Sequence, residues 1–180
     1  MQEKGNLRDK AKLLQRALGF FAKEPMTLME VCGTHTVAIY RGGLRSLLPK
    51  NISLVSGPGC PVCVTDQGEV DAAIELAGKK SLVLATYGDM MRVPGTKGSL
   101  QNLRTQGADV RVVRSCGEAL DLALKNPTKE VVFLGVGFET TAPSTAAIIL
   151  EAKEKGVQNF SVLCFHKLVP PALRLLAESR

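Results

Sequence analysis

Two cysteines, Cys60 and Cys63, lie three positions apart in the segment 56–65, which also contains two glycines and two prolines. A C-x-x-C pair suits a dithiol that closes reversibly to a disulfide, or one half of a tetrahedral metal site. The glycines and prolines restrict the backbone around the thiols and let another chain or a ligand approach closely. We expect the main chemistry of the chain at this segment.

The residues after this pair predict a helix. Asp66 and Glu69 stand at capping-box spacing, and the helix that they open is expected over residues 67–77. Cys63 would then lie just before a helix N-terminus. Unpaired backbone N–H groups and the helix dipole favour an anion there, so we expect a thiolate to form more easily than in an unperturbed cysteine.

The residues alone leave three interpretations of the Cys60/Cys63 pair. A structural zinc would need two more ligands at matching spacing, and the remaining cysteines are isolated in the sequence: Cys32, Cys116 and Cys164. The pair could also be two buried core cysteines. We favour redox or metal-handling chemistry, because chance rarely encloses such a pair between Gly-Pro-Gly and a helix cap.

A second group, Cys32-Gly-Thr-His35, follows an apolar run and precedes an amphipathic stretch. Cys32 and His35 therefore belong to one strand-to-helix turn. This arrangement favours a thiolate and an imidazole that converge on one metal or on each other. The alternative is a core cysteine beside a histidine that caps the helix.

Two further loops also follow apolar runs. The glycine-rich turn 135–141 lacks the spacing of dinucleotide- and phosphate-binding loops, and its Glu139 is either a site residue or a solvated carboxylate. His166 follows the last apolar run and is either a site residue or a plain loop histidine. Cys116, at a predicted helix start, and Cys164, in a predicted strand, are interpreted as structural.

Composition bounds the class of protein. The 180 residues are 45% hydrophobic and 22% charged, which is typical of a globular protein and not of a disordered one. No apolar run approaches the ~20 residues that cross a bilayer, and no signal pattern is present, so we expect a cytoplasmic protein without membrane association. Five cysteines, an odd number, argue against a disulfide framework. The net charge of +6 comes from scattered basic residues and aromatic residues are only 4%, so nucleic-acid binding is not expected.

The elements that position these loops alternate between short apolar runs and helices. After an amphipathic helix over 7–21, strands are predicted at 28–31, 52–55, 82–86, 110–113, 131–136 and 161–165, and helices at 36–48, 67–77, 98–106, 117–125 and 143–155. Continuous apolar runs are typical of strands in parallel sheets flanked by helices. We predict a Rossmann-like α/β fold in which the loops of Cys32, of Cys60 and Cys63, and of Glu139 converge at the carboxyl ends of the strands.

Five motifs, taken in order, resemble the hydrogenase maturation factor family HypD. They are Met-Glu-Val-Cys-Gly-Thr-His at 29–35, Ser-Gly-Pro-Gly-Cys-Pro-Val-Cys at 56–63, Ala-Thr-Tyr-Gly-Asp-Met-Met-Arg-Val-Pro at 85–94, Gly-Phe-Glu-Thr-Thr at 137–141 and His-Lys-Leu-Val-Pro-Pro at 166–171. The resemblance implies a scaffold on which an iron carrying two cyanides and one carbon monoxide is assembled for nickel–iron hydrogenases. We therefore expect an assembly scaffold with redox activity more than a turnover enzyme.

The resemblance also implies residue roles and partners. Cys32 would ligate the iron with His35 as its neighbour, Cys60 and Cys63 would be the redox-active pair, and the cleft would be lined by Glu139, Thr140 and His166. Backbone N–H groups of the glycine loops would donate hydrogen bonds to the cyanide nitrogens. The implied partners are the small chaperone HypC, the cyanide-delivering maturation factors and, indirectly, the hydrogenase large subunit.

Members of this family are about twice as long, and their C-terminal part carries the cysteines of a [4Fe–4S] cluster that this chain does not supply. We therefore expect an N-terminal half, with a first α/β domain over 1–126 and the start of a second over 127–180. The first would carry the Cys32, Cys60 and Cys63 loops, and the second would carry those of Glu139 and His166.

The competing function is a thiol–disulfide oxidoreductase that acts on protein substrates. Such a protein needs Cys60 and Cys63 but neither Cys32 nor His35. A plain metal-binding or nucleic-acid-binding module is the third alternative.

Overall fold

The computed structural model describes the backbone of residues 2–178 and the side chains of residues 9–178. The chain divides into two compact units, Met1–Cys60 and Pro61–Arg180. Each unit is a continuous stretch of the chain.

The first unit contains a two-stranded parallel sheet and three helices: α1 (Gln2–Phe21), β1 (Met26–Glu30), α2 (Gly33–Arg41), α3 (Leu44–Leu47) and β2 (Ile52–Ser56). In the register of the pair, Met26 lies opposite Ile52 and Glu30 lies opposite Ser56. Because the two parallel strands end at the same edge, the loops that follow Glu30 and Ser56 start side by side.

The second unit contains a four-stranded parallel sheet in the order β4-β3-β5-β6. Its elements are α4 (Gln67–Ala77), β3 (Leu82–Thr86), a 3₁₀ helix (Met90–Arg92), α5 (Leu100–Thr105), β4 (Val110–Val112), α6 (Cys116–Lys125), β5 (Glu130–Gly137), α7 (Ala142–Glu154), β6 (Phe160–His166) and α8 (Val169–Glu178). β3 and β5 are the central strands, and nearly all of their residues are buried.

The central strands of this sheet are covered on both faces. Leu82 and Leu84 of β3 belong to one apolar cluster, which also contains buried residues of α4 and α5. The alternate residues Val83 and Ala85 belong to a second cluster with Phe133 of β5 and residues of α6. Alternation along an extended strand puts neighbouring side chains on opposite faces, so an apolar run of this kind requires helices on both sides.

The predicted α/β fold with parallel sheets flanked by helices is confirmed, and each predicted strand is present within two residues of its expected bounds. The helix predicted over 36–48 is instead two helices, because Gly43 adopts a left-handed conformation with φ of 62° between them. α8 was not predicted. Its prolines, Pro170 and Pro171, lie in the first helical turn, where the missing N–H groups would have no helical partner.

The units divide at a different place from the predicted domain boundary. The polar stretch at 125–129 joins α6 to β5, and β5 pairs with β3 from Leu82↔Glu130 to Ala85↔Phe133. A boundary at residue 126 would therefore cut through one continuous sheet. The compact units of this structure separate at Cys60 and Pro61.

Within the part of the chain that the structure describes, no helix is long and apolar enough to span a bilayer.

Candidate functional site

Cys32 occupies the N-cap position of α2, directly after β1. Its side chain is half-buried, and its backbone is extended, with φ of −153° and ψ of 122°. The Cys32 side chain makes no cap hydrogen bond of ordinary geometry, but the backbone N–H groups of His35 and, to a lesser extent, Thr34 act on the sulfur and lower the pKa of the thiol below its ordinary value. Burial and the charge of Glu30 oppose this effect. The first turn of α2 thus favours a thiolate at residue 32.

Glu30 is the acidic group of this turn. The Thr36 hydroxyl donates to Glu30 Oε1, and the Cys32 backbone N–H donates to Glu30 Oε2 at 3.0 Å. These two hydrogen bonds, in that order, lower the pKa of the carboxyl, with smaller contributions from the Ser56 hydroxyl and the charge of His35. Glu30 therefore fixes the backbone of Cys32 relative to the helix that follows it.

The loop after β2 lies directly against this turn. A β-carbon built on Gly59 would stand 2.6 Å from the Cys32 Cα, and one built on Gly57 would stand 2.6 Å from the Met29 Sδ. Real β-carbons essentially never approach so closely, so the close packing at Gly59 requires glycine. The predicted convergence of the Cys32 loop with the loop leading to Cys60 is therefore present within the first unit.

The amides of the two glycines are used inside the loop. The Gly57 N–H donates to the Glu30 carbonyl at 2.7 Å, and the Gly59 N–H donates to the Gly57 carbonyl at 2.8 Å. The first bond holds the loop to β1, and the second lies within the loop, so both amides already have acceptors. The expectation that glycine-loop amides bind cyanide nitrogens stays a prediction for the other glycines.

Cys60 and Cys63 lie in the connection between β2 and α4. Cys60 is half-buried and Cys63 is exposed. Residues 61–64 form a turn that the Thr65 hydroxyl holds by donating to the Pro61 carbonyl at 2.9 Å. One thiol of the pair is thus open to reagents and to other proteins.

The predicted capping box of α4 is confirmed. The Gly68 N–H donates to Asp66 Oδ1 at 2.8 Å, and the Asp66 N–H donates to Glu69 Oε2 at 2.9 Å. These carboxylates already satisfy N–H groups at the start of this helix. The easier thiolate expected at Cys63 stays a prediction, whereas the start of α2 lowers the pKa of the Cys32 thiol.

In the second unit, the loops after β5 and β6 are tied together. Glu139 follows β5, is exposed, and accepts the Val169 N–H at 2.9 Å, so it holds the first residue of α8. The Lys167 N–H donates to the Gly137 carbonyl at 2.9 Å. Thr140 is exposed beside Glu139. Glu139 is therefore an organised carboxylate, not a loosely solvated one.

An ion pair also links the start of α4 to the loop after β6, at the carboxyl edge of the sheet. Lys167 Nζ lies 2.5 Å from Glu69 Oε1, and both side chains are mostly buried, at 31% and 24% exposure. Glu69 thus serves both the capping box and Lys167. Three chain segments that start or end at the carboxyl edge of the second unit's sheet are joined by these contacts.

His166 is the last residue of β6 and is partly buried. Its ring occupies the space left by two glycines of β5: a β-carbon on Gly135 would stand 3.0 Å from the His166 Cε1, and one on Gly137 would stand 3.1 Å from the Cδ2. Burial lowers the pKa of this imidazole below its ordinary value. The His166 ring is therefore packed against β5 and is neutral at neutral pH.

His35 is placed differently from the simplest expectation. Its backbone N–H faces the Cys32 sulfur, but its exposed ring makes no hydrogen bond to the thiol among the described contacts. The charge of its ring acts on the Glu30 carboxyl. Convergence of the His35 ring and the Cys32 thiolate on one metal stays a prediction.

Metal-ligating side chains are sparse in the described residues, where no three His, Cys, Asp or Glu side chains are grouped so that they could hold a metal ion. Cys32 therefore offers a single thiolate and not a closed metal cage. The described residues also contain no ligand set for a [4Fe–4S] cluster, which needs several cysteines together.

The two cysteines interpreted as structural differ in the structure. Cys116 is buried among apolar residues of α6 and β5, and burial raises the pKa of its thiol to about 11, as expected of an inert core cysteine. Cys164 is exposed, and its Sγ lies 3.3 Å from the His166 Nδ1. A purely structural role does not fit that position.

Sequence reasoning missed two partners of the site. Glu30 was part of a quoted motif without a role, and its two hydrogen bonds to residues 32 and 36 depend on side-chain directions that spacing does not reveal. Lys167 was adjacent to a candidate residue, but its partner Glu69 is far away in the sequence. The i, i+2 spacing of Cys164 and His166 in a strand was the one available signal, since it places both on the same face.

The fold and these loops define a class, an α/β protein whose thiol-bearing loops follow the carboxyl ends of parallel strands. A family model described as "HypD: Hydrogenase formation hypA family" matches residues 8–180. The chain therefore belongs to the HypD family.

The chain is also similar to proteins that are named hydrogenase maturation factor HypD. The chain is 50% identical over 161 residues to the hydrogenase maturation factor HypD of Escherichia coli K12, covering 89% of this chain and 43% of that protein. It is 48% identical over 175 residues to that of Rhodobacter capsulatus, covering 97% and 46%, and 52% identical over 152 residues to that of Cupriavidus necator, covering 84% and 40%. The chain spans less than half the length of these relatives.

Proposed function

We propose that this chain is part of a hydrogenase maturation scaffold that holds an iron while it receives two cyanides and one carbon monoxide, with the Cys32 thiolate as the protein ligand. The iron unit is cargo and not a resident cofactor. Family membership supports the general function, since the matching relatives are named hydrogenase maturation factors.

The observation that carries the proposal is the thiolate-stabilising turn at Cys32. Two helix N–H groups lower the pKa of this half-buried thiol, and Glu30 together with Gly59 holds its backbone in place. A low-valent iron with cyanide ligands prefers soft thiolate donors.

The remaining candidate residues receive supporting roles. We assign Cys60 and Cys63 as the redox-active pair, because Cys63 is exposed and the loop that leads to Cys60 packs on the Cys32 turn at Gly59. His35 would lie beside the iron, on the helix that starts at Cys32. Glu139, Thr140 and His166 would line the cleft from the loops after β5 and β6.

The proposal extends to partners and location. A scaffold of this kind would work in the cytoplasm with the small chaperone HypC and the cyanide-delivering maturation factors, and would serve the hydrogenase large subunit indirectly. No electron step is assigned to a [4Fe–4S] cluster, since the described residues offer no group of ligands for one.

A chimera tests this function directly. The chain replaces the matching segment of the Escherichia coli relative, and the complex with HypC is purified without oxygen. Infrared spectroscopy should show cyanide and carbon monoxide stretches in the parent chimera and lose them in Cys32→Ala. Cys116→Ala, which removes a thiol buried in the core of the second unit, is the control and should keep them. Retention of the full signal in Cys32→Ala would reject Cys32 as the ligand.

A second candidate function, a thiol–disulfide oxidoreductase, is supported by the exposure of Cys63 in its C-x-x-C turn. It requires no iron. The two functions differ in which cysteine is essential, Cys32 for the scaffold and Cys60 for the oxidoreductase.

A further inference from the structure

We propose that Cys164 and His166 form a reactive thiol–imidazole pair, and that Cys164 is a modification site that takes a low-molecular-weight disulfide such as glutathione disulfide to form a mixed disulfide. His166 would also line the cleft of the proposed function, but the inference does not depend on that function, because the reaction at Cys164 uses neither iron nor Cys32 nor the Cys60/Cys63 pair.

Geometry is the first support for this pair. Both residues point to the same face of β6, and Cys164 Sγ lies 3.3 Å from His166 Nδ1, within contact distance for proton transfer. Cys164 is exposed, so a reagent can reach the sulfur. A nucleophile within reach of a base is the arrangement that activates cysteine in many enzymes.

The packing of the His166 imidazole against β5 is the second support for the pair. In the register of the sheet, Gly135 lies opposite Cys164 and Gly137 lies opposite His166. Neither glycine has a side chain to fill this part of the sheet face, and the His166 ring packs there at 3.0 to 3.1 Å from where their β-carbons would be. The ring is therefore held with its Nδ1 toward Cys164.

Among the described residues, no charged side chain is found to act on the pKa of the His166 imidazole. Lys167 is paired with Glu69 of α4, and Glu139 accepts the Val169 N–H. α7, which packs on β6, has no ionisable side chain from Ala142 to Leu150. Burial alone shifts the pKa of His166, downward, so the neutral ring is the resting form at neutral pH and can accept a proton.

The step balances without another reactant. His166 Nδ1 accepts the Cys164 thiol proton as the sulfur attacks one sulfur of glutathione disulfide. The new S–S bond to Cys164 forms while the original S–S bond breaks. The departing glutathione thiolate takes the proton from His166, so Cys164 is oxidised and one glutathione leaves reduced.

The test measures the rate at each cysteine of the reduced chain exposed to glutathione disulfide, by acid quenching and peptide mass spectrometry. We expect the Cys164 rate at pH 7 to fall at least about tenfold in His166→Gln, since a positioned base commonly contributes 10² or more. His35→Gln, the same change at the chain's other histidine, is the matched control and should leave the Cys164 rate unchanged. Buried Cys116 should stay unmodified throughout.

The pH profile distinguishes base assistance from simple exposure. Between pH 6.5 and 8 the wild-type rate at Cys164 should be nearly flat, because a neutral base is present throughout. A thiol without a base loses about tenfold per pH unit below its own pKa, which is the profile expected for His166→Gln.

Gly135→Ala provides a second variant, which displaces the ring without removing it. Its methyl group would meet the His166 Cε1 at 3.0 Å, so the rate should fall toward that of His166→Gln. Circular dichroism checks the fold of each variant. A wild-type rate that drops about tenfold per pH unit, or one that survives in the folded variants, overturns the proposal. The wild-type profile decides even if neither variant folds.

Discussion

Gly59 packs so closely on Cys32 that a β-carbon at residue 59 would stand 2.6 Å from the Cys32 Cα. The two residues belong to loops that follow neighbouring parallel strands, β1 and β2. The approach is between backbones, so no side-chain rotation can relieve a clash there. This contact brings the loop that precedes Cys60 onto the turn that holds the Cys32 thiol.

Gly59→Ala should therefore destabilise the chain by about 1–3 kcal/mol, the usual cost of forcing an extra methyl group into a packed site. Gly33→Ala is the matched control, because a β-carbon at Gly33 meets nothing within 4 Å and residue 33 is helical. That control should be neutral or slightly stabilising. Urea denaturation measures both, and equal stability of the two variants would contradict the close packing.

The sequence was sufficient for the class of fold and for most strand bounds, since buried apolar runs such as 82–86 and 131–136 carry a strong signal. It was less informative about the site. Spacing predicted the capping box of Asp66 and Glu69, which is present, but the thiolate expected beside it at Cys63 stays a prediction. The thiol at Cys32 is stabilised by backbone groups, which every helix start has, so only the N-cap position of the cysteine singles it out.

Long-range pairs could not be read from the sequence at all. Lys167 and Glu69 meet because β6 and α4 belong to one unit, and no local pattern encodes that distance. The convergence of the Cys32 and Glu139 loops in one cleft stays a prediction, since these residues belong to different compact units.

The pKa of Cys32 should depend on the backbone N–H of Thr34. Thr34→Pro removes this donor in the first turn of α2, where proline is tolerated, and should raise the pKa of Cys32 toward its ordinary value. Thr34→Ala keeps the N–H and is the control for the lost hydroxyl. The pH dependence of Cys32 alkylation by iodoacetamide measures the pKa. At pH 7 the Pro variant should react several-fold more slowly than the Ala variant, whereas equal rates would show that the N–H is not involved.

Asp109 should make stability depend on pH in the acid range. Hydrogen bonds and ion pairs with Arg111 and, second, Lys129 lower its pKa to about 2, from an ordinary value of 3.8. A lowered folded-state pKa contributes stability that is present above about pH 4 and lost as the pH falls toward 2. Because these groups are partly exposed, solvent screening limits the contribution to about 1 kcal/mol.

Asp109→Asn should remove this contribution at pH 6 and leave stability nearly unchanged at pH 2. Asp121→Asn, at an exposed carboxylate outside the ion pairs of the described residues, is the control. Thermal unfolding at both pH values is the measurement. A loss of equal size at pH 2 and pH 6 would mean that Asp109 acts through packing and not through its charge.

Glu139 should stabilise the start of α8. Glu139→Ala leaves the Val169 N–H without its acceptor and should cost about 0.5–1.5 kcal/mol, the net contribution of a typical hydrogen bond. Amide exchange at Val169 should become faster. Thr140→Ala, at the exposed neighbour, should change stability by no more than about 0.5 kcal/mol. Unchanged exchange at Val169 in Glu139→Ala would show that this contact does not persist in solution.

The relative effects of Cys32 and Cys60 should separate the scaffold from the oxidoreductase. In the chimera, Cys32→Ala should abolish both the infrared bands and hydrogenase maturation while the fold persists, because a residue in a loop at a strand end contributes little to the core. Cys60→Ser should impair assembly through the dithiol and leave HypC binding intact. An oxidoreductase predicts the reverse order, with Cys32→Ala harmless and Cys60→Ser unable to reduce a model disulfide substrate. Wild-type maturation in Cys32→Ala would place the oxidoreductase function first.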